Sequence, residues 1–382
     1  MMNLAQKDIS HTLGKFIVTA MGVGMLLGIV LIMIGVYRGM MVDAQILLKD
    51  IHADLWIVQE NTLGPFAEAS RIHEDLKDTI KVIDGIDKSE ALTFQNMQLY
   101  IKGQAVRVMA VGFDPLGSLN PVDPNTLVSG RMLQKTHYEA VVSSETGFKL
   151  NDRLKIGRDI YTVVGTTRGA VASGGEPLIY ISLKDAQQLQ FSYSNANIRN
   201  DRARGIFEEK DIHTVNAVAA TVKKGYDIKE TAQRIRRWKH QSVYTDAQQS
   251  AILTKNVVEK ASKQIGLFTA ILVVVSTIII GLIIYTMTLE KIKEISIMKL
   301  IGIPDLIIIK MIVQETVLLG FFAFIFGNIF SHLIYDKFPK RVVLEIPDAL
   351  SLFAVVLIAS VFASFVGVGK VMHADPTVAI GG

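Results

Sequence analysis

Thr288-Leu289-Glu290-Lys291-Ile292-Lys293-Glu294-Ile295-Ser296-Ile297-Met298-Lys299-Leu300-Ile301-Gly302-Ile303-Pro304 is the segment from which the organisation of this chain unfolds. It begins where an apolar run ends and carries charges at Glu290, Lys291, Lys293 and Glu294. Ile292, Ile295, Met298 and Leu300 then fall within reach of one helical face, and Gly302-Ile303-Pro304 breaks the helix. Residues 265–288 before it and 311–334 after it are apolar and long enough to cross a hydrocarbon core of roughly 30 Å at about 1.5 Å per residue. A short helix held at both ends by membrane spans is a lever, whereas a solvated turn that merely joins two spans has the same composition.

Two further runs, 16–37 and 350–368, meet the same length criterion. The chain of 382 residues is 50% hydrophobic, which, gathered into blocks, excludes collagen, intrinsic disorder and a small disulfide scaffold. There is no cysteine, so disulfides, thiolate metal sites and cysteine nucleophiles are excluded as well. The first run is longer than the apolar part of a secretory signal, and Gly35-Val36-Tyr37-Arg38 offers no small-x-small cleavage site, so it reads as a retained anchor.

The spans are spaced as one plus three, with a long polar stretch between the first and second. There, β-branched and aromatic runs at 54–58, 97–101, 106–111, 139–142, 160–164, 178–181 and 217–222 alternate with turn signals. Helical patterns at 66–81, after Ser182, and at 227–238 are interleaved with them. The expectation is an α+β membrane protein with four transmembrane helices and a large two-lobed α+β extracytoplasmic domain inserted between helices 1 and 2. Residues 191–210 read as a surface insert, and Thr245-Asp246 caps a helix continuing into the second span as a rigid stalk.

Lys and Arg near span ends set the orientation, long domains being exempt. With the N-terminus inside, Lys7, Lys15, Lys291, Lys293, Lys299, Lys310 and Lys370 lie inside, against Lys337, Lys340 and Arg341 in the short outer loop. The expected layout is an N-terminal amphipathic helix at 1–15, spans at 16–38, 265–289, 306–334 and 349–369, and the outer domain at 39–262. A cytoplasmic helix at 290–304, an outer loop at 335–348 and a cytoplasmic tail at 370–382 complete it, with both termini cytoplasmic and the chain in the cell inner membrane.

Several chemistries lack their residues. No glycine-rich turn ends in Gly-Lys-Ser/Thr: Gly14-Lys15 precedes Phe16, and Gly369-Lys370 precedes Val371. No His-Glu-x-x-His occurs, His52, His73, His137, His213 and His240 are scattered, and Ser173-Gly174-Gly175 is not a nucleophile elbow. No catalytic, cofactor or metal site is expected. A net charge of +4 without basic clusters interleaved with aromatics points away from nucleic acid. Arg234-Ile235-Arg236-Arg237-Trp238-Lys239-His240 is read as a solvated helix face.

Inside the spans, Ala20, Gly24 and Gly28 recur every four residues, a spacing that lets helices approach closely, either for a dimer contact or for packing within the chain. Glu315 lies inside the third span, where an ionised carboxylate needs a partner or a proton. It is a proton-relay group or a packing element beside Gln314 and Lys310.

The segment from Leu289 to Gly302 resembles the signature after the second span of FtsX/MacB-type ABC transporter permeases. Leu4-Ala5-Gln6-Lys7-Asp8-Ile9-Ser10 is similar to the family's amphipathic start, and Ala374-Asp375-Pro376-Thr377-Val378-Ala379 to its short Asp-Pro motif. Ala53-Asp54-Leu55-Trp56-Ile57-Val58-Gln59 resembles the DevC-like members. Ser296 stands where the family often has Gly, and Lys291 and Lys293 stand where arginines are common.

The resemblance implies a non-enzymatic, mechanotransmitting homodimer worked by a separate P-loop ATPase, since the chain starts almost at its first span. It places Glu290, Glu294, Ile295, Met298 and Gly302 on the coupling helix. It further implies export of a lipid, lipoprotein or amphipathic substrate through a periplasmic membrane-fusion adaptor and a TolC-like outer-membrane channel, with membrane lipid as a further partner. An FtsX-like signal permease that activates a cell-wall hydrolase is the alternative, and a secondary carrier is the third reading.

Overall fold

The computed structural model describes residues 13–101, 103–192, 213–338 and 340–372. The opening motif at 4–10, nearly all of the insert at 191–210 and the Asp-Pro motif at 374–379 lie outside the described residues. Among those described, the α-helices are α1 (Leu13–Ile51), α2 (Leu76–Lys81), α3 (Leu183–Ser192), α4 (Ile228–Lys239), α5 (Asp246–Leu253), α6 (Glu259–Glu290), α7 (Ile292–Leu300), α8 (Asp305–Ile334) and α9 (Ile346–Met372). The strands are β1 (Leu55–Val58), β2 (Ile72–His73), β3 (Ile86–Ile101), β4 (Gln104–Phe113), β5 (Leu127–Gly130), β6 (Glu139–Ser143), β7 (Arg153–Ile156), β8 (Asp159–Thr167), β9 (Leu178–Ser182), β10 (Thr214–Val215), β11 (Ala217–Val222) and β12 (Ser242–Thr245). The described residues form two compact units: those up to Gly39 with those from Ala261 onward, and Met40–Lys260.

In the first unit, four helices are long and apolar enough to cross a membrane, over Leu13–Ile51, Ser262–Glu290, Asp305–Lys337 and Ile346–Phe365. The expected four spans in a one-plus-three layout are present. α1 buries Phe16, Ala20, Val23, Leu27 and Val30, spaced three and four residues apart on one face, against Ile312, Leu319 and Ala323 of α8 and Val356 of α9. Small residues set the closest approaches. A Cβ on Gly24 would lie 2.7 Å from the Ala323 carbonyl oxygen, and one on Gly28 would lie 2.8 Å from the Gly327 carbonyl oxygen.

The second unit is the α+β domain between the first and second spans. Its main sheet runs β12-β1-β11-β3-β4-β9-β6-β8-β5, with β7 added to β8, and β10 pairs β2 separately. The β3–β4 hairpin is the longest antiparallel pairing, from Thr93↔Gly112 to Ile101↔Gln104, while β4–β9 and β6–β8 run parallel. Leu55, Ile57 and Val218 pack with Ile80 of α2 and Ile235 of α4, and Val108, Ile179 and Ile181 pack with Ala186 and Leu189 of α3. A third cluster buries Trp56, Leu92, Val111 and Tyr180 with Leu47, Leu48 and Ile51 of α1.

Local chemistry explains most of these elements. Asp227 caps α4 by accepting from the Lys229 and Glu230 amides, and Thr245 and Gln248 form a reciprocal capping box at the start of α5. One sequence expectation changes. Residues 66–81 are not one helix, because Ile72 and His73 pair with Val215 and Thr214, leaving only Leu76–Lys81 helical. The helix from Thr245 runs on into the second span, with a π-helical segment at Thr254–Val258 where the ladder shifts to wider spacing.

Candidate functional site: the α7 lever and its anchors

α7 is set off from its neighbours by backbone chemistry at both ends. Lys291, with φ −92° and ψ 6°, stands between α6 and α7. At the other end Gly302 adopts φ +89°, its amide donates to the Lys299 carbonyl at 3.0 Å, and the Ile303 amide donates to the Met298 carbonyl at 3.0 Å. That paired pattern is a Schellman stop, and it needs a residue that tolerates left-handed backbone. Pro304 then precedes α8 in extended conformation.

The helix has two unlike faces. Ile295 and Ser296 are 1% and 0% exposed, with the Ser296 hydroxyl donating to the Ile292 carbonyl at 2.8 Å. Met298 is partly buried against the core of the membrane unit. Lys293, Glu294, Ile297, Leu300 and Ile301 are exposed, and Leu306 extends this apolar surface beyond Gly302. The sequence placed Ile292, Ile295, Met298 and Leu300 on one face; in the structure Leu300 belongs with the exposed residues instead.

Three ion pairs fix α7 and its flanks. Lys291 Nζ lies 3.2 Å from Glu315 Oε1 in α8, with both side chains largely buried. Lys299 Nζ lies 3.3 Å from Asp305 Oδ1, and Lys15 Nζ lies 2.9 Å from Glu290 Oε2 with both partners exposed to solvent. The exposed pair contributes little, roughly 0–1 kcal/mol. The buried pair is the stronger constraint, because both charges are largely withdrawn from water and are not screened as a surface pair is.

The residues singled out in the sequence are therefore distributed as follows. Glu294 and Gly302 are exposed on or beside α7, Glu290 is at the end of α6 paired with Lys15, and Ile295 and Met298 face the bundle. Ala20, Gly24 and Gly28 are buried, the two glycines directly against α8. Glu315 meets Lys291. Arg234 and Arg236 bond the Asp84 and Val243 carbonyls at 2.9 and 2.6 Å, so that basic face is partly used in tying down α4.

Sequence reasoning missed a second charged cluster in this unit. Arg38 Nη1 lies 2.8 Å from Glu345 Oε2, Nη2 donates to Asp348 Oδ1 at 2.8 Å, and Nε donates to Asp348 Oδ2. Gly35 and Gly39 of α1 make room for the connection into α9, the Val343 amide donating to the Gly35 carbonyl at 3.0 Å. The signal available beforehand was the coincidence of a basic and two acidic residues at the ends of separate spans.

A membrane protein with one span, a large α+β domain, and three further spans, the first two of them joined by a short helix, is the class this architecture defines. Residues 16–238 match the model of the MacB-like periplasmic core domain, and residues 266–376 match that of the FtsX-like permease C-terminal. Since the first match alone takes in more than half of it, the chain belongs to the ABC transporter permeases of the FtsX/MacB type. An uncharacterised ABC transporter permease of Mycobacterium bovis is 22% identical over 382 residues, covering 100% of both chains. The putative hemin transport system permease protein HrtB of Staphylococcus haemolyticus is 25% identical over 390 residues, covering 100% of this chain and 99% of its own. The crystal structure of the periplasmic region of MacB from Actinobacillus actinomycetemcomitans covers 52% of this chain and 92% of its own, at 9% identity and a TM-score of 0.34. Such relatives are permease subunits, and the family implies an ATPase partner.

Proposed function

We propose that α7 is the docking element for a separate P-loop ATPase and that the chain, as a homodimer, converts its hydrolysis into movement of the Met40–Lys260 domain. The observation that carries this reading is the two-sidedness of α7: Ile295 and Ser296 are sealed into the membrane unit, while Ile297 and Ile301, 49% and 75% exposed, flank Glu294 on the outward side. An exposed apolar patch with charges beside it on a fixed helix is a protein-contact surface. The lysines at 291, 293, 299 and 310 support a cytoplasmic position for this end, hence cytoplasmic termini and an extracytoplasmic domain in the cell inner membrane.

On this reading the cargo is a lipid, a lipoprotein or an amphipathic small molecule taken up at the outer domain and passed to an adaptor and outer-membrane channel. The hemin assignment in the name of the staphylococcal relatives belongs to the same amphipathic class. The test is co-purification of the ATPase with the full chain from membranes. Ile297→Asp and Glu294→Lys each lower the recovered ATPase at least about tenfold; recovery at the wild-type level in both variants removes α7 as the docking element.

A further inference from the structure

At the Gly39 end of the membrane unit, α1, α8, the connection into α9 and the start of α9 line a half-open cavity of about 390 Å³. That volume is within the range of small-molecule sites, roughly 300–1,000 Å³. Much of the wall is apolar, from Leu31 and Ile34 of α1, Phe324 of α8, and Leu344 and Leu350. Polar groups enter it from Asn328, Ser331 and His332 of α8 and from Glu345 and Asp348.

The hydrogen bonds already made by these groups determine what they have left to offer. The Ser331 hydroxyl donates to the Asn328 carbonyl at 2.8 Å, and His332 Nδ1 lies 2.9 Å from a carbonyl oxygen of the same residue. A carbonyl oxygen only accepts, so Nδ1 carries a hydrogen and is spent on that contact. Arg38 directs its guanidinium at the carboxylates of Glu345 and Asp348. Each ionised carboxylate has about four lone-pair positions, so one guanidinium leaves both with accepting capacity. Arg38 spends three of its five N–H groups on the two carboxylates, and the roughly eight lone-pair positions of those carboxylates exceed what one guanidinium can fill.

We infer that this cavity binds an amphiphile with a single apolar tail and a protonated amine head. The tail fills the space between Leu31, Ile34 and Phe324, and the ammonium donates to Glu345 and Asp348. A carboxylate or phosphate head is disfavoured, because two carboxylates set against one guanidinium repel a further anion. This inference concerns binding alone and requires no ATPase, so its failure leaves the docking role of α7 untouched.

The experiment is equilibrium dialysis of radiolabelled dodecylamine and dodecanoate against the full chain in phosphatidylcholine nanodiscs, with empty discs as the baseline. Expected are saturable excess binding of dodecylamine, at least about tenfold tighter than dodecanoate, and a loss of about fivefold or more in Glu345→Gln. Filling the cavity with Ala349→Trp abolishes the excess; Ile34→Phe serves if that variant does not fold, folding being read by size exclusion and thermal unfolding. Absence of saturable excess, dodecanoate binding as tightly as the amine, or full binding in a folded cavity-filling variant overturns the inference.

Discussion

Lys291 Nζ, at the break between α6 and α7, lies 3.2 Å from Glu315 Oε1 within α8, and the two side chains are only 12% and 8% exposed. A carboxylate at this depth costs several kcal/mol unless it is neutralised, and the lysine that neutralises it is also the residue from which the lever starts. The pair therefore joins the root of α7 to α8.

Breaking that pair on one side should be more damaging than removing it whole. Glu315→Leu is expected to lower stability by about 3 kcal/mol, and Lys291→Met with Glu315→Leu to recover more than half of the loss. Thermal unfolding in nanodiscs measures both. Equal losses in the single and double variants would show that the pair is not what holds these two residues.

The two faces of α7 predict opposite phenotypes for the same chemical change. Ile295→Ala removes a side chain 1% exposed in the bundle core and should cost about 2–4 kcal/mol of stability. Ile297→Ala, on the exposed face, should leave stability within about 0.5 kcal/mol of the parent while weakening ATPase recovery.

Packing of α1 on α8 is expected to reject a single methyl group. A Cβ on Gly24 would meet backbone atoms, the Ala323 carbonyl oxygen at 2.7 Å and the Gly327 nitrogen at 3.1 Å, which no rotamer change relieves. Gly24→Ala should therefore cost about 1–3 kcal/mol. Because this face is occupied within the chain, Gly24→Cys should give no disulfide between protomers on oxidation, as read by non-reducing electrophoresis.

Acid sensitivity of the α+β domain should depend on Glu139. The carboxylate is buried and held at about 2, against the usual 4.5, chiefly by Arg131 Nη2 at 2.6 Å, with the Gln134 and Lys135 amides adding to the effect against the cost of burial. A depressed folded-state pKa stabilises above the unfolded value and is lost as pH falls from about 4.5 to 2, a change of up to about 3 kcal/mol. Trp56 is fully buried in this domain, so in a Trp238→Phe background its fluorescence reports the acid transition. Glu139→Gln should flatten the pH dependence in that window and lower stability at neutral pH.

Much of the architecture was legible in the residues. Spans show because apolar length is a local property, and β1, β6, β8, β9 and β11 show because β-branched runs between turn residues hardly need distant partners to be recognised. Asp227 and Thr245 announced the starts of α4 and α5 because a cap acts over three residues. Residues 66–81 misled because the pairing of Ile72 with Val215 is non-local, and a hydrophobic pattern cannot foresee a strand partner so far along the chain. Of the site, the short helix between the second and third spans was legible from charges, periodicity and Gly302, but not which of its residues face outward, since α7 is apolar on both sides and only packing separates Ile295 from Ile297.

By itself the sequence determined that this chain enters a membrane four times, carries an α+β domain after the first crossing, and turns through a glycine-stopped helix between the second and third. Those features rest on span length, alternation and capping, each set by residues within a few turns of one another. Only the tertiary structure decided that Glu315 is met by Lys291, that Arg38 holds Asp348 from 310 positions away, and that Gly24 and Gly28 serve α8. Charges and small residues state a need for a partner, but the identity of that partner depends on which helices the apolar faces bring together.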